Sequence, residues 1–228
     1  KGCARRMAIQ DLLEAREAKE AADKLARLLA DIALVFGWGE QDWQTDKDKN
    51  GHLKSDFVFA VGEGQWREVF VLAGHNLLAK KPANAKNFGH FAGTTSFLPA
   101  YPHHLPANDL ELDVITCHHP DYYSQKTDRL GNLVMPVALD TEEPNPVVFP
   151  AVAAGIVFQF VLLPLGGGRD SLSQPAAKHN VLAFEWLRQG LATFGLGAKT
   201  AAGYGWFDAS KEFNQRFLAD QRETAEAQ

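Results

Sequence analysis

The stretch Gly195-Leu-Gly-Ala-Lys-Thr-Ala-Ala-Gly-Tyr-Gly-Trp-Phe207 sets one lysine among four glycines and closes on three aromatic side chains. Glycine has no Cβ and tolerates positive φ, so the backbone of such a loop can lie close against a phosphate or another chain. Main-chain N–H groups of this loop converging around Lys199 would make a phosphate cradle. The alternative is a tight turn with a solvated lysine. Two common nucleotide motifs are excluded. A P-loop needs glycine immediately before its lysine, where Ala198 stands, and an earlier glycine where Thr193 stands. A dinucleotide fingerprint needs its third glycine at Thr200. Both motifs run strand, loop, helix, whereas here the order is helix, loop, strand. Neither ATP nor NAD is expected, and no cofactor is.

Four other groups carry chemistry. Lys1, Arg5 and Arg6, with Gly2 between them, open the first helix, whose N-terminal amides favour anions. Cys117, His118, His119 and Asp121, with His103 and His104 upstream, are the residue types of a metal site. Adjacent side chains on an extended segment point to opposite faces, however, so this run lacks the spacing of a zinc chelate. Polar loop residues are expected instead, and no metal. Asp109, Glu111 and Asp113 share one strand face and resemble a paired-carboxylate nuclease site. Their alternation with Leu110, Leu112 and Val114 is what a half-exposed strand shows, and the solvated face is preferred. Lys80, Lys81 and Lys86 form a small basic patch, more simply read as a solvated loop. No Gly-x-Ser-x-Gly element or nucleophile–base pair supports hydrolase chemistry, so no catalytic residue is assigned.

The elements that position these groups follow from periodicity. Residues 4–35 carry apolar side chains at helical spacing with opposite charges at i,i+3 and i,i+4, which predicts one helix stopped by Gly37 and Gly39. Residues 40–55 read as a polar surface loop. Phe57–Val61 and Val69–Leu72 are rich in β-branched and aromatic residues and predict strands around a Gly62-Glu-Gly64 turn. Thr94–Leu98 and Leu110–Thr116 predict half-buried strands, and Ile156–Leu163 a buried one. Gly166–Asp170 reads as a flexible turn, Ala177–Phe194 as a helix and Tyr204–Asp208 as a strand, which points Tyr204 and Trp206 to one face and Phe207 to the other. Residues 209–228 predict a charged C-terminal helix.

The 228 residues, 46% hydrophobic and 22% charged, suffice for one large globular domain. A net charge of −5 argues against a freestanding, non-specific nucleic-acid binder, whose surface is usually basic. Two cysteines fit no disulfide framework. The longest apolar run, Val147–Leu165, is broken by Pro150, Gly155 and Pro164, so no membrane span and a cytoplasmic location are expected. The order helix, strands, helix, glycine loop, strand predicts an α+β, ferredoxin-like (RRM-like) domain over residues 1–208, with insertions at about 40–92 and 117–146 and a helical tail at 209–228. In that topology the first strand would precede Lys1, and it is expected from upstream sequence or another chain.

Several segments in order resemble one family. Lys1-Gly2 before Cys-Ala-Arg-Arg6 is similar to the end of a Gly-Ser-Ser-Leu-Lys-Gly motif. Gly93-Thr-Thr-Ser-Phe-Leu-Pro-Ala-Tyr-Pro102 is similar to a segment ending Asp-Ala-Tyr-Pro, with Pro99 in place of the aspartate. Leu112–Tyr123 is similar to an Asp-Val-Met-Thr-Pro-His segment, and Gly195–Phe207 to a glycine-rich signature. The chain thereby resembles the RAMP proteins of type III CRISPR effectors, within them subunit six of the type III-B (Cmr) complex. The resemblance covers roughly Gly89–Phe207 and the first few residues.

The resemblance implies a non-catalytic subunit that holds the 3′ region of guide RNA or its duplex with target RNA and caps a filament of backbone subunits. Its partners would be guide (CRISPR) RNA, target RNA and the other Cmr subunits, backbone and small subunits included. Lys1, Gly2, Arg5, Arg6 and the loop residues Gly195, Gly197, Lys199, Thr200, Gly203, Tyr204 and Gly205 would then contact RNA, with Tyr204 or Trp206 able to stack on bases. The alternatives are a metal-dependent RNA-processing nuclease of the same superfamily, working through residues 103–123, and an interaction module without RNA.

Overall fold

The computed structural model describes residues 1–77, 90–104, 109–117, 126–134, 145–165 and 176–226. Helices combine with short antiparallel strand pairs, an α+β structure. The chain divides into two compact units, residues 1–99 with 160–228 and residues 100–159.

In the first unit, α1 (Gly2–Glu17) buries Ala4, Met7, Ala8 and Leu12, an i, i+3/i+4 stripe. It ends where Lys19 adopts φ +54°, with Glu20 N–H on Ala15 O at 3.0 Å and Lys19 N–H on Arg16 O at 2.9 Å. This is a Schellman closure with lysine in the position that glycine usually takes. The single helix predicted over 4–35 is therefore two, because no glycine marks the break. The second, α2 (Ala22–Phe36), is buried on nearly every side of its C-terminal half and stops at Gly37, φ +89°.

The strands predicted at 57–61 and 69–72 are instead α3 (Asp56–Val61) and α4 (Glu63–Leu77). Ser55 caps α3, its Oγ accepting from Val58 N–H at 3.3 Å. Gly62, φ +94°, closes α3 rather than turning a hairpin. Trp66, Val69, Phe70, Ala73 and Leu77 fall on one face at helical spacing and pack α4 against α2. The β-branched content misled because burial on a helix face outweighs intrinsic strand preference.

Strand β1 (Gly37–Trp38) pairs with β2 (Phe91–Ala92), and β3 (Thr95–Phe97) pairs with β10 (Leu162–Pro164), both antiparallel. Gly93-Thr94 seals the end of α2: Thr94 N–H and Oγ1 both donate to Leu34 O, at 2.7 and 3.0 Å. Helix α5 (Ala176–Phe194) buries His179, Ala183, Trp186, Leu187 and Leu191 against α1, α2, β3 and β10. Trp186 Nε1 donates to Asp11 of α1 at 2.8 Å. Tyr204–Asp208 forms no ladder among the described residues, contrary to the predicted strand.

Ser210 caps α6 (Lys211–Glu226), accepting from Phe213 N–H at 3.0 Å. Arg188 of α5 holds the segment leading into this helix, donating to Ala209 O at 3.2 Å, and through Nε and Nη2 it reaches both oxygens of Glu185 on its own helix at 3.1 and 2.6 Å. The Arg188 fork, against a smaller opposing effect of burial, holds the Glu185 carboxyl down to about 2. A depressed carboxylate stabilises the fold above its unfolded value of 4.5, and that contribution fades as pH falls from there towards 2. Wild type is expected to lose more stability than Glu185→Gln between pH 5 and 2, by less than about 1 kcal/mol because the pair is partly solvated. Urea midpoints measured across that range for both proteins check it.

In the second unit, β4 (Tyr101–Pro102) pairs with β9 (Phe158–Gln159), and β5 (Leu110–Cys117) pairs over eight positions with β8 (Asn145–Val152). A short hairpin joins β6 (Lys126–Thr127) and β7 (Leu133–Val134). The buried strand predicted at 156–163 is two short pieces, β9 and β10, in different ladders and only partly buried. The expected half-burial of β5 also fails: Leu110, Leu112 and Val114 are all exposed. Gly166–Asp170 lies outside the described residues. Among the described residues no helix is long and apolar enough to cross a membrane.

Candidate nucleic-acid interface

The start of α1 and the glycine loop, almost the whole sequence apart, adjoin. Gly190 is the reason: a Cβ there would lie 2.7 Å from Cys3 O, so only glycine lets α5 run this close to α1. Cys3 Sγ then donates to Gly195 O at 3.6 Å. Burial pushes the Cys3 thiol up, which keeps it protonated for that role. One residue pair further, the Arg6 guanidinium sits 4.1 Å from the centroid of the Phe194 ring. Gly2 is exposed, with open space where a side chain would be. Lys1 is exposed, and its carbonyl accepts Arg5 N–H at 2.9 Å.

Gly195, Gly197, Gly203 and Gly205 all have positive φ, and so does Lys199 at +61°. Leu196 N–H donates to Gly205 O at 2.8 Å and closes the loop on itself. Lys199 O accepts from Ala202 at 2.9 Å and Tyr204 at 3.3 Å, and Trp206 Nε1 donates to Thr200 O at 3.0 Å. Gly197 and Ala198 lie exposed, and their N–H groups meet no backbone acceptor among the described residues. Lys199, Thr200 and Tyr204 are half-buried, while Gly203, Gly205 and Trp206 are exposed. Phe207 packs inward, edge-on to Phe160 at 5.7 Å. The aromatic run therefore divides, with Trp206 exposed and Phe207 partly buried against the core.

Beside the start of α1 opens a cleft of about 590 Å³, lined by Lys1, Arg5, Lys54, Trp38, Phe91 and Asp42 among others. Arg5 is already engaged there: Nη2 reaches Asp42 at 3.1 Å and Nη1 reaches Asp56 at 3.0 Å, with Phe57 4.7 Å beneath the guanidinium. A phosphate at Arg5 would compete with two carboxylates. Asp42 also accepts Gly39 N–H at 2.7 Å, and its carbonyl accepts Ser55 Oγ at 2.6 Å.

The chain matches no family model, no curated protein and no solved structure. The residues themselves carry the reading.

Among the described residues no three His, Cys, Asp or Glu side chains cluster as metal ligands. His103 and His104 are exposed. His118, His119, Asp121 and the side chain of Cys117 lie outside the described residues, as do Lys80, Lys81 and Lys86. Glu111 and Asp113 are exposed on β5. Lys54 joins Lys1 and Arg5 at the cleft, and periodicity had offered no sign of it. It sits in a polar segment read as plain surface, brought in by the fold-back of Lys47 against Leu53.

Proposed function

We propose that this chain is a non-catalytic, RNA-holding subunit of a type III-B CRISPR ribonucleoprotein of the cytoplasm, built on a ferredoxin-like RAMP domain. It would seat the 3′ region of the guide RNA or its duplex with target RNA and cap the backbone filament beside backbone and small subunits. Three of the four motif segments that resemble that family support the assignment from described residues. The observation that carries it is the juxtaposition of the α1 N-terminus with the glycine loop through Cys3–Gly195 and Arg6–Phe194. The N-terminal amides of α1 and the exposed Gly197 and Ala198 amides of the loop are each donors of the kind a phosphodiester takes.

Lys199 adds a second support. A left-handed conformation costs a lysine roughly 1–2 kcal/mol over glycine, and the loop uses glycine at its other positive-φ positions. Lys19 takes the same conformation to close α1, whereas Lys199 takes it inside a loop that otherwise turns on glycine, which favours a role for its side chain. Affinity would come from phosphates, with sequence read by base pairing of the guide. An acidic chain suits RNA held within an assembly.

The test is a salt titration of guide-RNA binding by the assembled complex. Lys199→Ala and Lys199→Gly are both expected to weaken the slope of log K against log salt by roughly 0.7 on single-stranded RNA. Lys199→Gly should do so while leaving the fold equally or more stable. An unchanged slope in both removes the loop from the site. RNA cleavage by the purified chain alone would overturn the non-catalytic reading.

A further inference from the structure

The β5–β8 ribbon exposes an apolar face that a two-stranded ribbon does not stabilise by itself. The register pairs Leu110 with Val152, Leu112 with Pro150 and Val114 with Val148, all on one face. Every aliphatic member of that face is more than half exposed, Leu112 most of all at 78%.

The two edges of the ribbon differ. Ala153 N–H donates to Asp109 O at 3.0 Å, which fixes Glu111, Asp113 and Ile115 as the β5 residues bonded to β8. Leu110, Leu112, Val114 and Thr116 therefore turn their N–H and C=O groups outwards. Among the described residues those of Leu110, Leu112 and Thr116 meet no backbone partner, and Val114 N–H is held by the Asp113 carboxylate at 2.7 Å. On β8 the outward positions include Pro146 and Pro150, which have no N–H to offer. Among the described residues the prolines leave the β8 edge the poorer donor to a further strand, and the β5 edge is the open one.

Charge selects the occupant. The face opposite the leucines carries Glu111 and Asp113, and neither strand contains a lysine or arginine. A second copy pairing antiparallel through β5 would set these carboxylates against each other, which is unfavourable. A polyanion meets the same repulsion. We propose that the outer edge of β5 accepts an extended segment of another protein in which apolar and basic side chains alternate. Its backbone would continue the ladder, its apolar side chains would cover Leu112 and Val114, and its basic ones would face Glu111 and Asp113.

The full chain, titrated with an end-capped octapeptide of alternating valine and lysine, tests this by amide hydrogen exchange and calorimetry. Slowed exchange at Leu110, Leu112 and Thr116 is expected, with binding about tenfold weaker for the valine–glutamate counterpart. Leu112→Pro removes an outward N–H without touching the β5–β8 ladder and should abolish binding. The double variant Glu111→Lys/Asp113→Lys should prefer the glutamate peptide. The proposal falls if that preference does not reverse, or if Leu112→Pro binds as wild type. It falls equally if sedimentation shows a dimer that Leu112→Pro dissolves, or if poly(U) rather than peptide protects these amides.

Discussion

Gly93→Ala is expected to lower stability by about 3 kcal/mol, at the top of the range for overpacking a tight core. A Cβ at position 93 would lie 2.2 Å from Val35 O and 2.8 Å from both Gly37 N and Phe36 C. All three are backbone atoms at the end of α2, so no side chain can swing aside. Relief requires moving the Gly93-Thr94 turn away, which breaks the two bonds from Thr94 to Leu34 O. Urea unfolding reads the effect as a lower midpoint at unchanged slope. Gly64→Ala is the matched control: it lies in α4 with nothing within 4 Å, and should be neutral or stabilising by up to about 1 kcal/mol. Equal midpoints for the two variants would refute the close approach.

Phe57→Ala should cost about 3–5 kcal/mol, the usual range for emptying a buried phenyl site. Phe57 is 1% exposed. Its ring stacks 5.6 Å from Trp38, while the Arg5 guanidinium lies over it. Trp38 in turn stacks on Trp43 at 5.6 Å and on Phe70 at 6.1 Å, so the loss spreads through a cluster whose Trp38 lines the cleft. Phe57→Leu keeps most of the volume and should lose less than half as much. Tryptophan emission during unfolding gives both numbers. A loss below about 1 kcal/mol for Phe57→Ala would mean that α3 is not docked as described.

These two residues also show where sequence periodicity stops. Phe57 was legible as part of an apolar run but not as helical, because Phe57-Val-Phe-Ala-Val61 satisfies both a strand and one helical turn with an apolar face. Ser55 decides it by capping Val58 N–H. Gly93 was legible as part of a motif, yet its closeness to Val35 depends on two segments far apart in the chain. Lys19 hid a helix break because a lysine there accepts the left-handed conformation that glycine would have announced.

Sequence alone determined the local facts: apolar stripes on α1, α2 and α5, the stop at Gly37, the positive-φ glycines of the loop, and the alternation along β5. Each depends on neighbours within a turn or two, where periodicity and glycine chemistry act directly. Tertiary structure decided which of these meet. It set Gly190 against Cys3 and so brought the loop to the start of α1, committed Arg5 to Asp42 and Asp56, turned Phe207 inwards, and left the leucines of β5 uncovered. Such pairings depend on contacts between residues distant in sequence, and no local pattern encodes the partner of a long-range contact.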